Sequence, residues 1–206
     1  MIITLSRQYM AGGSEVANHV AEGLGWEVID DGFIREVATR SGYSIEDVQN
    51  LEERVPTFLE RFAQSSALSF PEFLLSAPSA IDEPEAIKLA HVTRDFLEEF
   101  KRRTKVVLVG RAAAAVLSRE QNVLHARLVA SVAHRTLEAM RILDVDQDSA
   151  SAEVEERDLN RERYHREFYD RDWNDPVNYH LVLNTELLTR VGAADLIVMR
   201  ARAMGW

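Results

Sequence analysis

The sequence predicts a three-layer α/β fold, a five-stranded parallel sheet with helices on both faces. Three observations predict it. Short apolar runs alternate with segments of helical period along the chain. The run Lys105-Val106-Val107-Leu108-Val109 is continuously apolar after its lysine, as strands buried on both faces are. The chain also opens with strand, glycine-bearing turn and helix in immediate succession.

The elements follow in order. Ile2-Ile3-Thr4-Leu5 is the first strand, and Val16, Ala17, Val20, Ala21 and Leu24 mark one face of the first helix. Trp26 to Ile29 is a second strand ending at Asp30-Asp31-Gly32, and Phe33 to Arg40 a helix closed by Ser41-Gly42. Ser44 with Asp47 three residues on approaches a capping box. Four of the five prolines fall within residues 45–104, which read as helices separated by bends, with 71–84 as a loop. The last of these helices, Glu85 to Arg103, carries Leu89, Val92, Phe96 and Phe100 on one face. Gly110-Arg111 ends the third strand and a helix runs from Ala112 to Leu117. Val123 to Ala130 is a fourth strand, interrupted by His125 and Arg127. Ser131 caps a helix, residues 151–172 are a dense run of charge, and Tyr179 to Leu183 is a fifth strand. Asn184-Thr185 caps the final helix.

Composition bounds the function. With 206 residues, 46% hydrophobic and 28% charged, the chain can bury a full core. It has no cysteine, so thiolate metal sites and disulfides are excluded. The net charge of −10 argues against a nucleic-acid surface, and no run reaches the roughly 20 apolar residues of a membrane span. A cytoplasmic protein is expected. Its three lysines are Lys88, Lys101 and Lys105, and none lies in the turn after the first strand. If phosphate is bound there, arginine forks and backbone amides must bind it.

Ligands of parallel sheets bind past the carboxyl ends of the strands. That edge carries Arg7, Asp30, Gly110-Arg111, Ser131 with Arg135, and Asn184-Thr185. Against the pattern G-x-x-x-x-G-K-[ST], Gly12 takes the second glycine and Ser14 the hydroxyl that reaches magnesium. Arg7 stands at the first glycine and Gly13 at the lysine. A Gly-Gly pair also serves as a plain tight turn. The arginines converging from separate segments favour a polyphosphate site. Arg135, with Glu138 three residues on, reads equally well as a phosphate contact or a surface pair. In residues 151–172, Glu153–Arg157, Glu162–Arg166 and Glu167–Arg171 are acid-before-base pairs of a solvated helix. Arg157 and Arg161 are like charges one turn apart, a spacing an intervening anion would relieve. Tyr164, Phe168 and Trp173 read as packing residues, and His19, His91, His165 and His180 as incidental.

Ser-Arg-Gln-Tyr…Gly-Gly-Ser-Glu at 6–15, Val-Gly-Arg-Ala at 109–112, Asp-x-x-Arg-x-x-Tyr at 158–164 and Tyr-x-Leu-Val-Leu-Asn-Thr at 179–185 resemble the cytidylate kinase-like family from end to end. The resemblance implies one P-loop nucleoside-monophosphate-kinase-like domain over 1–206. Its parts would be a core (1–44, 105–150 and 177–206), a helical acceptor-side insert (45–104) and a lid (151–172). It implies phosphate transfer from ATP, with Mg²⁺, to CMP, dCMP or a related small phosphorylated acceptor. No nucleic-acid or membrane partner is implied, and the protein would be a monomer or homodimer. Arg7, Gln8, Ala11, Gly12, Gly13 and Ser14 would hold the donor phosphates, with Ser14 also at the metal. Asp30, Gly110 and Arg111 would face the acceptor, and Arg157, Asp158 and Arg161 would act from the lid. Two departures stand out: the loop lysine is absent, and the Gly-Arg-Asp triplet of true cytidylate kinases reads Gly110-Arg111-Ala112. Both leave open a catalytically impaired, nucleotide-binding regulatory protein of the same fold.

Overall fold

In the computed structural model, which describes residues 1–29, 31–45, 85–99 and 105–206, five parallel strands form one sheet in the order β2-β3-β1-β4-β5. The strands are β1 (Ile2–Arg7), β2 (Glu27–Ile29), β3 (Val106–Val109), β4 (Val123–Val129) and β5 (Leu181–Asn184). The longer described helices are α1 (Gly13–Leu24), α2 (Asp31–Ser41), α3 (Glu85–Glu99), α5 (Val132–Leu143), α6 (Gln147–Tyr169) and α8 (Arg190–Ala203). Two single turns, α4 (Ala113–Val116) and α7 (Thr185–Leu188), complete the series. Most of the insert, including the helix expected after Ser44 and the 71–84 loop, lies outside the described residues, as does Asp30.

Period-two alternation sorts each central strand between two cores. Ile3, Leu5, Val107, Val109, Leu124, Ala126 and Leu128 pack on Val16, Ala17 and Val20 of α1 and on Ala193, Ala194 and Ile197 of α8. Ile2, Val106, Leu108 and Val123 pack on the opposite side against Val37 of α2, Phe96 and Leu97 of α3, Ala113 of α4 and Tyr164 of α6. Helices therefore cover both faces.

β4 is where the sequence misleads. His125 and Arg127 are inward-facing residues, 4% and 2% exposed, and do not interrupt the strand. They meet a polar strip on β1: His125 Nδ1 lies 2.7 Å from Thr4 Oγ1. Arg127 stacks on Trp173 at 3.9 Å and donates to Asn174 Oδ1 at 2.8 Å. Trp173 in turn donates from Nε1 to Ser6 Oγ at 3.0 Å. Nor is His180 incidental, since its Nδ1 accepts the His125 backbone N–H at 2.9 Å and the two rings stack at 5.1 Å.

Burial, followed by the charges of His180 and Arg171, holds the His125 pKa down at about 4, from the usual 6.5. A depressed histidine favours the fold while the unfolded chain would stay neutral, so its contribution is complete above pH 6.5. As pH falls from 6.5 through 4 the unfolded state takes up a proton that the native state refuses, and stability drops. The loss from this residue is expected to be on the order of 3 kcal/mol at most, taking about 1.4 kcal/mol per unit. Urea melts of wild type and His125→Asn between pH 4 and 7 check it: the variant's pH slope should be visibly shallower.

The charge-dense run at 151–172 lies across the end of a longer helix. Residues 151–169 belong to a helix that begins at Gln147, capped by Asp146 accepting from Ser149 N–H at 2.9 Å. Apolar anchors are present. Val154 packs with Ala139 and Ala150 against Tyr9, Met10 and Met140. Tyr164 is fully buried, with Phe168 and Tyr169 around its ring at 5.1 and 5.8 Å. The pairs Glu153–Arg157 and Glu162–Arg166 form as expected, at 2.7 and 2.5 Å. Arg171 lies past the helix end and donates to the Ala114 carbonyl at 3.3 Å. The final helix is also not continuous: Asn184 caps only α7, and α8 restarts at Arg190.

Candidate functional site

β1 connects to β2 on one side of the sheet and β4 to β5 on the other, so a crevice opens at their carboxyl ends. Gln8 spans it. Its N–H donates to Leu128 O at 3.1 Å, and its Oε1 accepts from Ala130 N–H at 3.0 Å. The chain then turns through Met10 and Gly12, both left-handed (φ 62 and 79), into α1. The first intrahelical bond runs from Val16 N–H to Gly12 O at 3.0 Å. The N–H groups of Gly13, Ser14 and Glu15 precede it and face outward at the positive end of the helix, where anions are favoured.

A cleft of about 240 Å³ lies over this helix start. Of the residues expected to hold a donor, Arg7, Gln8, Gly12, Gly13 and Ser14 line it, joined by Arg161 and Arg190. Ala11 is buried beneath, its carbonyl accepting from Thr185 Oγ1 at 3.1 Å. Arg161, 6% exposed, reaches across from α6 and donates to Arg7 O at 3.1 Å. The Arg7 side chain runs beneath the loop. A Cβ on Gly13 would fall 2.8 Å from Arg7 Cγ, and one on Gly110 would overlap the Arg7 guanidinium. Arg7 thus ties the loop to the end of β3.

Gly110, Arg7 and Arg161 also line a small enclosed cavity of about 10 Å³ with Ser6, His165 and Trp173, enough for roughly one water. Arg111 lines neither this cavity nor the cleft among the described residues. It sits with Ala112 at the centre of a turn closed by Ala113 N–H donating to Gly110 O at 3.0 Å. Gly110, Arg111 and Ala112 all have positive φ (70, 55 and 51), which costs a non-glycine residue about 1–2 kcal/mol. Asp30 is outside the described residues.

Arg135 and Asp158 do not reach the cleft. Arg135 is 3% exposed and its Nη1 pairs with Asp158 Oδ2 at 2.7 Å, so of its two expected readings the surface pair with Glu138 does not form. Its Nε donates to Ala130 O at 3.1 Å and its Nη1 to Tyr9 O at 3.2 Å. The other oxygen of Asp158 accepts the Tyr9 N–H at 2.8 Å. One ion pair therefore clamps both backbone groups of Tyr9 between α5 and α6. Arg157 and Arg161 share the Tyr9 ring at 5.6 and 5.5 Å, so an aromatic face lies between the like charges. Burial raises the Tyr9 hydroxyl pKa above its ordinary value, with Arg157 opposing.

Arg190 is a lining cation that sequence reading missed, as it missed Tyr9, Met10, Glu15 and Ile142. Its Nη1 is held by both carboxylate oxygens of Glu15 at 2.7 Å, and its Nη2 by Glu138 at 2.5 Å. Burial would raise the Glu138 pKa, but Arg190 and Arg141 outweigh it and bring it below the usual value. Thr189, immediately before, has φ 62 and ψ 163, a region nearly reserved for glycine and costing on the order of 1–3 kcal/mol. Its hydroxyl accepts from Gly192 N–H at 3.2 Å, capping α8 and fixing Arg190 at the first helical position. No spacing rule in the sequence marks such a residue.

Among the described residues there is no cluster of three acidic or histidine side chains for a metal. Magnesium in a polyphosphate site keeps several waters and takes phosphate oxygens, so one protein hydroxyl suffices. Ser14, exposed at the head of α1 and lining the cleft, fits that requirement. No helix among the described residues is long and apolar enough to cross a membrane.

Residues 2–187 match the model of the cytidylate kinase-like family. Among curated proteins none matches the chain. Of solved structures, an uncharacterized protein from Eubacterium ventriosum ATCC 27560 is similar at TM-score 0.63 and 22% identity, with 98% of each chain covered. A shikimate kinase from Acinetobacter baumannii in complex with shikimate is similar at TM-score 0.52 and 16% identity, over 98% of this chain and 92% of that one. A gluconokinase from Sinorhizobium meliloti 1021 is similar at TM-score 0.54 and 13% identity, over 98% and 94%. At these identities the structural likeness establishes a P-loop kinase fold.

Proposed function

Because the chain belongs to the cytidylate kinase-like family, we propose that it is a nucleotide-binding phosphotransferase, moving the terminal phosphate of ATP to a small phosphorylated acceptor such as CMP or dCMP. The observation that carries this reading is the convergence of Arg7, Arg161 and Arg190 from three elements on the cleft beside Gly12–Ser14. An acceptor phosphate oxygen attacks the γ-phosphorus, the bond to the β–γ bridging oxygen breaks, and ADP leaves with that electron pair. Such a transfer asks for positioning and charge neutralisation more than for covalent chemistry. The amides of residues 13–15 would cradle the donor phosphates, and Arg7 and Arg161 would neutralise the transferring group. Ser14 and the nucleotide would hold Mg²⁺, which supplies further neutralisation of the phosphate oxygens when bound. Residues 45–104, with Asp30, Gly110 and Arg111, would form the acceptor side, and residues 151–172 the lid.

The test is a panel of nucleoside monophosphates with ATP and Mg²⁺, following ADP formation. CMP or dCMP should give the highest turnover. A regulatory, non-transferring protein remains the second reading, favoured by one observation: Asp158, expected at the reaction, is engaged by Arg135 and the Tyr9 backbone. ATP binding without ADP formation from any acceptor would select it.

Arg111 offers a test of which substrate each side would serve. It follows Gly110 just past the end of β3 and is not among the residues lining the donor cleft. Arg111→Ala should lower kcat/KM for the acceptor about ten- to hundredfold, the worth of a charge-assisted bond of roughly 1.5–3 kcal/mol. ATP affinity should barely change. Steady-state kinetics with each substrate varied in turn would expose the opposite pattern, which assigns Arg111 to the donor.

A further inference from the structure

We propose that Arg190 is the donor-side cation that the loop itself lacks, contacting the nucleoside triphosphate's phosphates from the head of α8; this rests on the donor reading above. The position where a loop lysine would stand is Gly13, and no lysine follows residue 105. What fills the space above the glycine pair comes from elsewhere in the chain. A Cβ on Gly12 would lie 2.6 Å from Arg190 Nε, 2.7 Å from its Cδ and 2.9 Å from its Cγ. Gly12 is thus shaped around the Arg190 side chain as Gly13 is around Arg7. Two arginine side chains thus pack on the glycine pair, the stem of Arg7 from β1 and that of Arg190 from α8, and both residues line the same cleft.

The head group is prepositioned. Glu15 and Glu138 hold it from two helices, and the strained Thr189 fixes where α8 begins. Its charge is balanced by those carboxylates before any nucleotide arrives. Glu15, more than half exposed in the first turn of α1, is the odd member of the group: an anion placed where a polyphosphate would sit. An incoming triphosphate therefore competes with Glu15 for Arg190. A guanidinium carries enough donors to keep Glu138 while turning one edge to phosphate.

The competition gives two variants opposite signs although both break the same ion pair. Arg190→Met should weaken ATP binding roughly ten- to hundredfold. Glu15→Gln should strengthen it severalfold, because it removes a negative charge from the cleft and frees the arginine. Arg190→Lys should fall between wild type and Arg190→Met. The measurement is calorimetric titration of the full chain with ATP and Mg²⁺, beside thermal melts without nucleotide. Wild type that fails to bind ATP overturns the donor reading, and this inference with it. Wild type that binds, with Arg190→Met binding equally well, overturns this inference alone. So does a loss of affinity in Glu15→Gln matching its loss of thermal stability, which would make the trio a clamp between helices. Should Arg190→Met fail to fold, the sign of the Glu15→Gln effect decides.

Discussion

Asp158→Ala should lower the stability of the nucleotide-free protein by about 3 kcal/mol, or roughly 6–12 °C in Tm for a domain of this size. The substitution strips Arg135, 3% exposed, of its carboxylate partner and strips the Tyr9 N–H of its acceptor. A buried cation left without its counter-charge is far costlier than the pair is worth, because desolvation has already been incurred. The thermal melt separates two roles for Asp158. A residue whose only task is to meet nucleotide would leave the ligand-free melt unchanged. Asp158→Asn, which keeps the shape and loses the charge, should lie between. Arg135→Met/Asp158→Leu should recover part of the loss, and a double-mutant cycle should show strong coupling. An unchanged melt for Asp158→Ala would return Asp158 to the reaction.

That clamp shows why parts of the molecule were legible in the sequence and others were not. The strand–loop–helix opening, the strand at Val106–Val109 and the alternation that covers both sheet faces are local patterns, and the structure has all of them. Gly12, Gly13 and Ser14 come with the loop, so most of the candidate donor cleft was readable. What failed depends on partners remote in sequence. His125 and Arg127 looked like breaks in a strand because Thr4, His180, Trp173 and Tyr179, which accommodate them, are set beside them only by the fold. A surface pair was one of the two readings of Arg135 because Glu138 is near in sequence, yet Glu138 serves Arg141 and Arg190. The charge of residues 151–172 concealed Val154, whereas Tyr164 and Phe168 on the same helix were legible as packing residues. Arg190 had no signal at all: its position follows from a strained Thr189 and two acids on other helices.

Gly12→Val should abolish ATP binding at accessible concentrations, a loss of at least about a hundredfold, while the protein still folds. Three effects coincide at this one position. Its φ of 79 is one that a β-branched residue adopts only with strain, about 1–2 kcal/mol, so the turn that aims the amides of residues 13–15 would open. Any Cβ there meets the stem of Arg190 at 2.6–2.9 Å, and Glu15 and Glu138 keep that side chain from simply swinging away. A branched side chain would also stand in the cleft, between backbone and phosphate. The fold should survive because the nearest obstruction to the new Cβ is an arginine side chain at the cleft, and the two sheet cores lie elsewhere. Gly12→Ala should show a graded version, with weaker binding and a smaller fall in Tm. Calorimetry with ATP and Mg²⁺, alongside a melt confirming cooperative unfolding, reads both. If Gly12→Val folds and binds ATP like wild type, the nucleotide lies somewhere other than this loop.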